Sequence, residues 1–326
     1  MTGRRVSVTA PARLHLGLLD LEGGLGRRFG SLGITLDKPY TRIHLSHASE
    51  TDVVGPDAER ARRYLALLAD EFRLDAGFRL IVDDAIPAHA GLGSGTQMAL
   101  AVGAAVARLC DLEDGPRDIA ERLDRGARSG IGLGAFETGG VLLDGGRGKA
   151  DRPPPIISRT PFPEDWRILL IFDRGREGLH GGDEVEAFAK IPPFPAESAG
   201  HLCRLAVMSV LPALAERDVD RFGAAVAEIQ RVVGDHFAPA QGGRFASPDV
   251  ADVLAWLESE GIAGVGQSSW GPTGFALLAS QDDADRLLAA ARSRWPQTTQ
   301  LDFAVCRGAN RGAAIEAVDA VLAAGE

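Results

Sequence analysis

The residues best suited to chemistry lie at 86–97, which read I-P-A-H-A-G-L-G-S-G-T-Q. Glycines at 91, 93 and 95 let the backbone approach a ligand closely, and N–H groups at a helix start favour an anion. Gly91, Leu92, Gly93, Ser94, Gly95 and Thr96 are therefore the candidate phosphate or pyrophosphate site. Ser94 stands at the N-cap position, and Gln97 three residues later completes a capping box. No Lys-Ser or Lys-Thr follows the glycines, so this is not a Walker A loop; the G-x-G-x-x-G spacing is also absent. Taken alone, the string also fits an ordinary strand-to-helix turn.

A second candidate is residues 12–18. In an extended strand, Arg13, His15 and Gly17 share one face, while Leu14, Leu16 and Leu18 share the other. The leucines read as core. The opposite face offers a guanidinium, an imidazole and a gap, which suits either the wall of an anion pocket or a solvent-facing edge. Asp20, just past the strand, could hold a ribose hydroxyl or a metal. Residues 177–184, E-G-L-H-G-G-D-E, place His180 in a glycine-flanked loop. Such a loop is a mobile lid carrying a base, or a solvated turn before a helix.

Elements must position these groups. Residues 78–83 alternate as a strand should before the glycine loop, and residues 98–109 repeat apolar positions at helical spacing. Further strands are expected at 5–9, 42–46, 166–172, 274–279 and 301–305. Helices are expected at 58–72, 94–110, 197–216, 218–233, 247–260 and 282–295. Four prolines within 152–162 mark a connector, dividing the chain into domains at 1–155 and 156–326.

The 326 residues carry a formal net charge of −10, with 45% hydrophobic and 25% charged residues. These values suit a globular enzyme and argue against a nucleic-acid partner, which needs a basic face. No apolar run approaches bilayer-spanning length and no signal peptide is seen, so the cytoplasm is the expected address and a membrane partner is not expected. Cys110, Cys203 and Cys306 are far apart and form no CxxC pair. No H-E-x-x-H or comparable metal signature occurs, and metal ligands stay unassigned.

The loop resembles the phosphate loop of the GHMP kinase superfamily. Two more segments fall in that superfamily's order: A-P-A-R-L-H-L-G-L-L-D-L at 10–21, and G-V-G-Q-S-S-W-G-P-T-G-F-A-L-L at 264–278. Their wording, with R-S-G-I-G-L-G-A-F-E-T-G-G at 128–140 and the 177–184 string, is similar to one non-kinase branch. That branch is β-ribofuranosylaminobenzene 5′-phosphate synthase. The resemblance implies an α+β fold of two domains, the first like ribosomal protein S5 and the second ferredoxin-like. It places Arg13, His15, Glu137 and His180 among catalytic residues, and Asp20, Ser129, Gly130, Ser268, Ser269 and Thr273 among substrate contacts.

Many GHMP kinases carry Ser-Gly-x-Asp, with the Asp as base; here Ser129, Gly130 and Ile131 are followed by Gly132. Losing a base of this kind typically costs about 10²–10⁴-fold, which disfavours phosphoryl transfer, although homoserine kinase manages without one. Glu137 is the nearest acidic replacement. The branch reaction joins 5-phosphoribosyl 1-pyrophosphate to 4-aminobenzoate, releasing carbon dioxide and pyrophosphate, in tetrahydromethanopterin biosynthesis. Magnesium is the implied cofactor and a homodimer is allowed. An ATP-dependent kinase of the superfamily and a silent metabolite sensor are the alternatives. The sequence does not separate 4-aminobenzoate from 4-hydroxybenzoate.

Overall fold

The structure is a computed structural model that describes residues 3–149, 152–178, 191–296 and 300–320. The elements run β1 (Gly3–Asp20), β2 (Phe29–Ala48), β3 (Asp52–Val54), α1 (Ala58–Glu71), β4 (Gly77–Asp84), α2 (Ser94–Leu109), α3 (Pro116–Arg122) and α4 (Ile131–Glu137). They continue with β5 (Val141–Asp144), β6 (Ile156–Thr160), β7 (Arg167–Asp173), α5 (Ala196–Glu216, with a π turn at Ala206–Val210) and α6 (Val219–Gln241). Last come α7 (Pro248–Ser259), β8 (Val265–Gln267), β9 (Gly274–Leu278), α8 (Gln281–Arg294), β10 (Leu301–Cys306) and β11 (Ala314–Ala320).

Two sheets result. The first is seven-stranded, with β11-β1-β2-β4-β3 as its spine, β5 paired to β2 and β6 paired to β5. The second is four-stranded and antiparallel, in the order β10-β7-β9-β8. The protein is thus an α+β molecule with one sheet in each domain. Two strands from beyond residue 155 join the first sheet. Strand β6 lies inside the proline-rich connector and pairs with β5, while β11 returns to pair with β1. Both belong to the first sheet, because each supplies ladder partners that local sequence pattern cannot reveal.

Strand β1 explains much of the architecture. Its first half gives Val6, Val8 and Ala10 to a core that α1 and α2 close with Tyr64, Leu68, Met98 and Val102. Its second half gives Leu14 and Leu16 to a core shared with α5 and α6, which contribute Leu202, Val210, Phe222 and Ile229. The second sheet packs its other side on α7 and α8. One strand therefore spans both cores and fixes the cleft between the domains. Leu16 is fully buried. Leu16→Ala should cost roughly 2–5 kcal/mol by cavity formation, read as a fall in denaturant midpoint at unchanged slope.

By length and composition alone, α5 is long and apolar enough to cross a membrane. Its apolar side supplies Ala199, Leu202, Ala206, Val210, Ala213 and Leu214 to the inter-domain core.

Candidate active site

The glycine loop enters α2 as a left-handed turn. Gly91 and Gly93 have φ of 80° and 84°, a region that glycine occupies at no steric cost. A side chain at Gly91 would collide with the Ser268 carbonyl oxygen. The expected capping box is not formed. Gly93 is the N-cap, Ser94 is already helical, and no side chain caps the helix. Because the left-handed glycine makes the turn, the helix starts at Ser94 rather than after it. Gln97 is instead fully buried and donates from Nε2 to the Gly132 carbonyl at 2.7 Å. Ser94→Ala should therefore shift stability by no more than about 0.5 kcal/mol, checked by thermal unfolding.

Backbone and hydroxyl bonds tie the loop to the other two motifs. The Arg13 N–H donates to the Leu92 carbonyl at 3.1 Å, and the Arg13 guanidinium donates to the Gly91 carbonyl. Ser268 Oγ donates to the Gly91 carbonyl at 2.7 Å and accepts the His15 N–H at 3.0 Å. The Ser269 N–H donates to the His15 carbonyl at 3.3 Å. Ser268 and Thr273 are fully buried, and the Thr273 carbonyl accepts the Ser268 N–H at 2.9 Å. Ser268 and Thr273 thus brace the turn, while Ser269 reaches the cavity.

Two neighbouring cavities follow. The first, with about 1870 Å³ of empty space partly open to solvent, is bordered by Gly91, Gly93, Ser94, Gly95 and Thr96. Four guanidiniums face it: Arg13, Arg60, Arg63 and Arg125. Arg60 pairs with Asp57 at 3.2 Å and reaches Ser94 Oγ at 3.3 Å. Arg63 and Arg125 each lie 5.4 Å from the centre of the Tyr64 ring. The Nε of Arg125 is buried with no hydrogen-bond partner. With Asp57 and Glu59 as its acidic residues, the cavity carries a positive excess against a chain that is acidic overall. Such a balance suits a polyanion.

The second cavity is small, about 50 Å³, and has Ser269 and Trp270 in its lining as the first does. His15, Gly17 and Leu18 form one wall, and Val233, Phe237 and Arg244 are among the residues of the other. The facing argument for β1 therefore holds from Arg13 to His15. A register shift between His15 and Gly17 then brings Leu18 to the same wall. Gly17 is less a gap than a contact: a Cβ there would lie 2.6 Å from Ile229 Cγ2 of α6. His15 is 6% exposed. Burial first, and the Arg13 charge second, push its imidazole down to about 3, so the ring is neutral at physiological pH.

The remaining expected residues lie elsewhere. Glu137 sits at the far end of α4, 3.9 Å from Arg117, with its carboxyl raised by burial against the pull of that arginine. It lines neither cavity. Ser129 Oγ and the Gly130 N–H donate to Asp144 at 3.3 and 2.8 Å, so they anchor the start of α4. Asp20 accepts the N–H groups of Glu22 and Gly23 and lines a separate groove with Arg27 and Cys203. His180 lies outside the described residues. Gly132 is buried beside the loop, and a Cβ there would stand 3.1 Å from Thr96 Cγ2.

Sequence reasoning missed Arg60, Arg63 and Arg125. A signal was present for the first two: cations near the start of α1 oppose the helix dipole and want another reason to be there.

A two-domain α+β fold built around a glycine loop defines the class. The GHMP kinase N-terminal domain model matches residues 59–140, and the GHMP kinase C-terminal model matches 210–297. Mevalonate diphosphate decarboxylase from Staphylococcus aureus shares the fold at a TM-score of 0.66 and 15% identity, covering 96% of this chain and 98% of that one. Two curated relatives are named beta-ribofuranosylphenol 5′-phosphate synthase. That of Methanothermobacter thermautotrophicus is 32% identical over 83% of this chain and 88% of the relative. That of Archaeoglobus fulgidus is 34% identical over 83% and 87%. The chain belongs to the GHMP kinase superfamily and, within it, to the family of these synthases.

Proposed function

We propose that this enzyme transfers the phosphoribosyl group of 5-phosphoribosyl 1-pyrophosphate to the carboxyl-bearing carbon of a para-substituted benzoate. Carbon dioxide and pyrophosphate are released. The acceptor is 4-aminobenzoate or 4-hydroxybenzoate, and the phenol in the relatives' name favours the hydroxy acid. The reading places the reaction in tetrahydromethanopterin biosynthesis.

The observation that carries the reading is a polyanion cradle beside which Gly132 stands where many kinases of the superfamily keep an aspartate base. Gly132 is closed against Thr96, and His15 is held near a pKa of 3. A kinase must take a proton from the hydroxyl it phosphorylates. Substitution at the carboxyl-bearing ring carbon needs none removed. The ring carbon bonds to ribosyl C1′ as the C1′–O bond breaks toward pyrophosphate. The bond to the carboxyl carbon then returns its electrons to the ring as carbon dioxide leaves. Loop N–H groups with Arg13, Arg60, Arg63 and Arg125 stabilise the charge that collects on the leaving group. The para amine or hydroxyl donates electrons to the attacked carbon.

Magnesium fits as the counter-ion of pyrophosphate. Among the described residues no three His, Cys, Asp or Glu side chains gather to cage a metal. Asp57 and Glu59 do border the cradle and would stand beside a cation held by phosphate oxygens. When bound, it would supply further charge neutralisation at the leaving group.

Protein given magnesium, 5-phosphoribosyl 1-pyrophosphate and carboxyl-labelled acid should release labelled carbon dioxide and pyrophosphate with no ATP. Omitting the ribosyl donor should stop release. Release without the donor would mark a simple decarboxylase. No release, together with ATP consumption on homoserine, mevalonate or a sugar, would hand the site to a kinase.

A further inference from the structure

We infer that the cradle holds two anion subsites, and that Tyr64 with Arg63 and Arg125 forms the second, which takes the distal phosphate of a diphosphate. This rests on the proposed reaction in one respect, that the cradle receives the donor's pyrophosphate. It adds the Tyr64 hydroxyl as a ligand-binding group and a means of telling a diphosphate from a monophosphate.

Tyr64 lies on the buried face of α1. Its ring belongs to the core that also holds Leu68, Met98 and Val102, and the residue is 2% exposed. It nevertheless borders the cradle. Its hydroxyl has no hydrogen-bond partner among the described residues. A buried phenol usually finds a partner, because an unmade hydrogen bond costs stability. The hydroxyl is aimed at the loop: a Cβ added at Gly95 would stand 3.8 Å from Tyr64 Oη and 4.0 Å from Arg125 Nη1.

Charge gathers at the same end. Arg63 and Arg125 lie over the Tyr64 ring, and neither pairs with a carboxylate among the described residues. The ring face orients both guanidiniums and leaves their N–H edges for an anion. The buried Nε of Arg125 is a further donor without a partner. The other end of the cradle is built differently. There Arg13 donates to the Gly91 carbonyl and Arg60 reaches Ser94 Oγ, with Asp57 offsetting the Arg60 charge at 3.2 Å.

Two sets of donors therefore stand along one loop, one at Gly91 to Ser94 and one at Gly95. A diphosphate spans both. Its terminal phosphate carries more charge than the one esterified to C1′, so it belongs beside the two guanidiniums that no carboxylate offsets. As the C1′–O bond breaks, negative charge grows on the departing diphosphate, and the Tyr64 O–H donates a hydrogen bond to it without giving up the proton. A single phosphate fills one subsite and leaves the donors of the other unpaired.

The test is calorimetric titration of magnesium pyrophosphate and, separately, of inorganic phosphate into wild type and Tyr64→Phe. The variant removes one oxygen and keeps the ring. Pyrophosphate affinity should fall about tenfold or more, the scale of a hydrogen bond to a charged group. Phosphate affinity should stay within about twofold. The unfolding temperature should hold or rise, since the core loses an unpartnered hydroxyl; a phenol needed only for the fold would lower it. Arg63→Gln, at an exposed position, should repeat the selective loss. Unchanged pyrophosphate affinity in Tyr64→Phe overturns the subsite, as do equal losses for the two ligands or failure of the wild type to bind pyrophosphate. A loss confined to ribose 5-phosphate also overturns it, by giving Tyr64 to the donor's other phosphate. Selective loss in a protein that releases no carbon dioxide keeps the subsite and sinks the reaction. Turnover in a protein whose pyrophosphate binding ignores Tyr64→Phe keeps the reaction and sinks the subsite.

Discussion

Gly93→Val should abolish pyrophosphate binding while the protein remains folded. Gly93 has φ of 84° at the N-cap of α2. A β-branched residue held there stores on the order of 1–3 kcal/mol of strain. Its Cβ would also stand 3.3 Å from Arg13 Cγ and 3.4 Å from the guanidinium carbon. Relief of either strain or crowding moves the loop N–H groups or Arg13, and both face the cradle. Affinity for magnesium pyrophosphate should fall at least ~100-fold, the equivalent of about 2.7 kcal/mol. Gly26→Val is the matched control: its φ is 82°, and nothing lies within 4 Å of the Cβ position. Both variants should lose similar stability in thermal unfolding, and Gly93→Val alone should lose the ligand by calorimetry. Wild-type affinity in Gly93→Val would remove the loop from the site.

The comparison of these two glycines also shows what the sequence reveals and what it hides. The glycine loop was legible because its chemistry is local: spacing, helix start and backbone freedom all lie within twelve residues. The face of β1 was legible for the same reason, through alternation, up to the register shift after His15. Helix α6 was not. The expected helix stops at Val233 because Gly234 and Pro239 read as breakers, yet the helix runs to Gln241. Gly234 is there for packing, since a Cβ would lie 2.8 Å from Arg244 Cγ. Pro239 sits in the last turn, where the loss of one N–H is tolerated better than in the helix centre. The residues beyond Val233 carry Phe237 and one wall of the smaller cavity, so that wall was hidden with them. Glu137 misled in the opposite way. It is near Gly132 in sequence, but α4 carries it to the other end of the helix and onto Arg117. Arg125 gave no local signal, because its place beside Gly95 depends on how α3 packs against α2.

His15→Gln should flatten the acid side of the stability curve. The wild-type imidazole is pushed down to about 3, by burial first and by the Arg13 charge second. An unfolded chain protonates histidine near its ordinary value of about 6.5. Between those limits the unfolded state binds a proton that the native state refuses, so unfolding becomes easier as pH falls. The contribution is constant above about pH 6.5, declines through the window, and levels off again near pH 3. Its slope approaches about 1.4 kcal/mol per pH unit while the window lasts. Asp144 works in the other direction: burial raises its carboxyl, so its linkage favours the native state as pH falls. For that reason the measurement is the difference between wild type and His15→Gln in chemical unfolding at pH 7, 6, 5 and 4, which cancels the shared groups. The wild type should lose stability relative to the variant at each step below about 6.5. Equal acid dependence in the two proteins would mean that His15 protonates normally in the fold. The wall between the cradle and the smaller cavity would then carry a charge, and the imidazole would be able to exchange a proton beside the cradle.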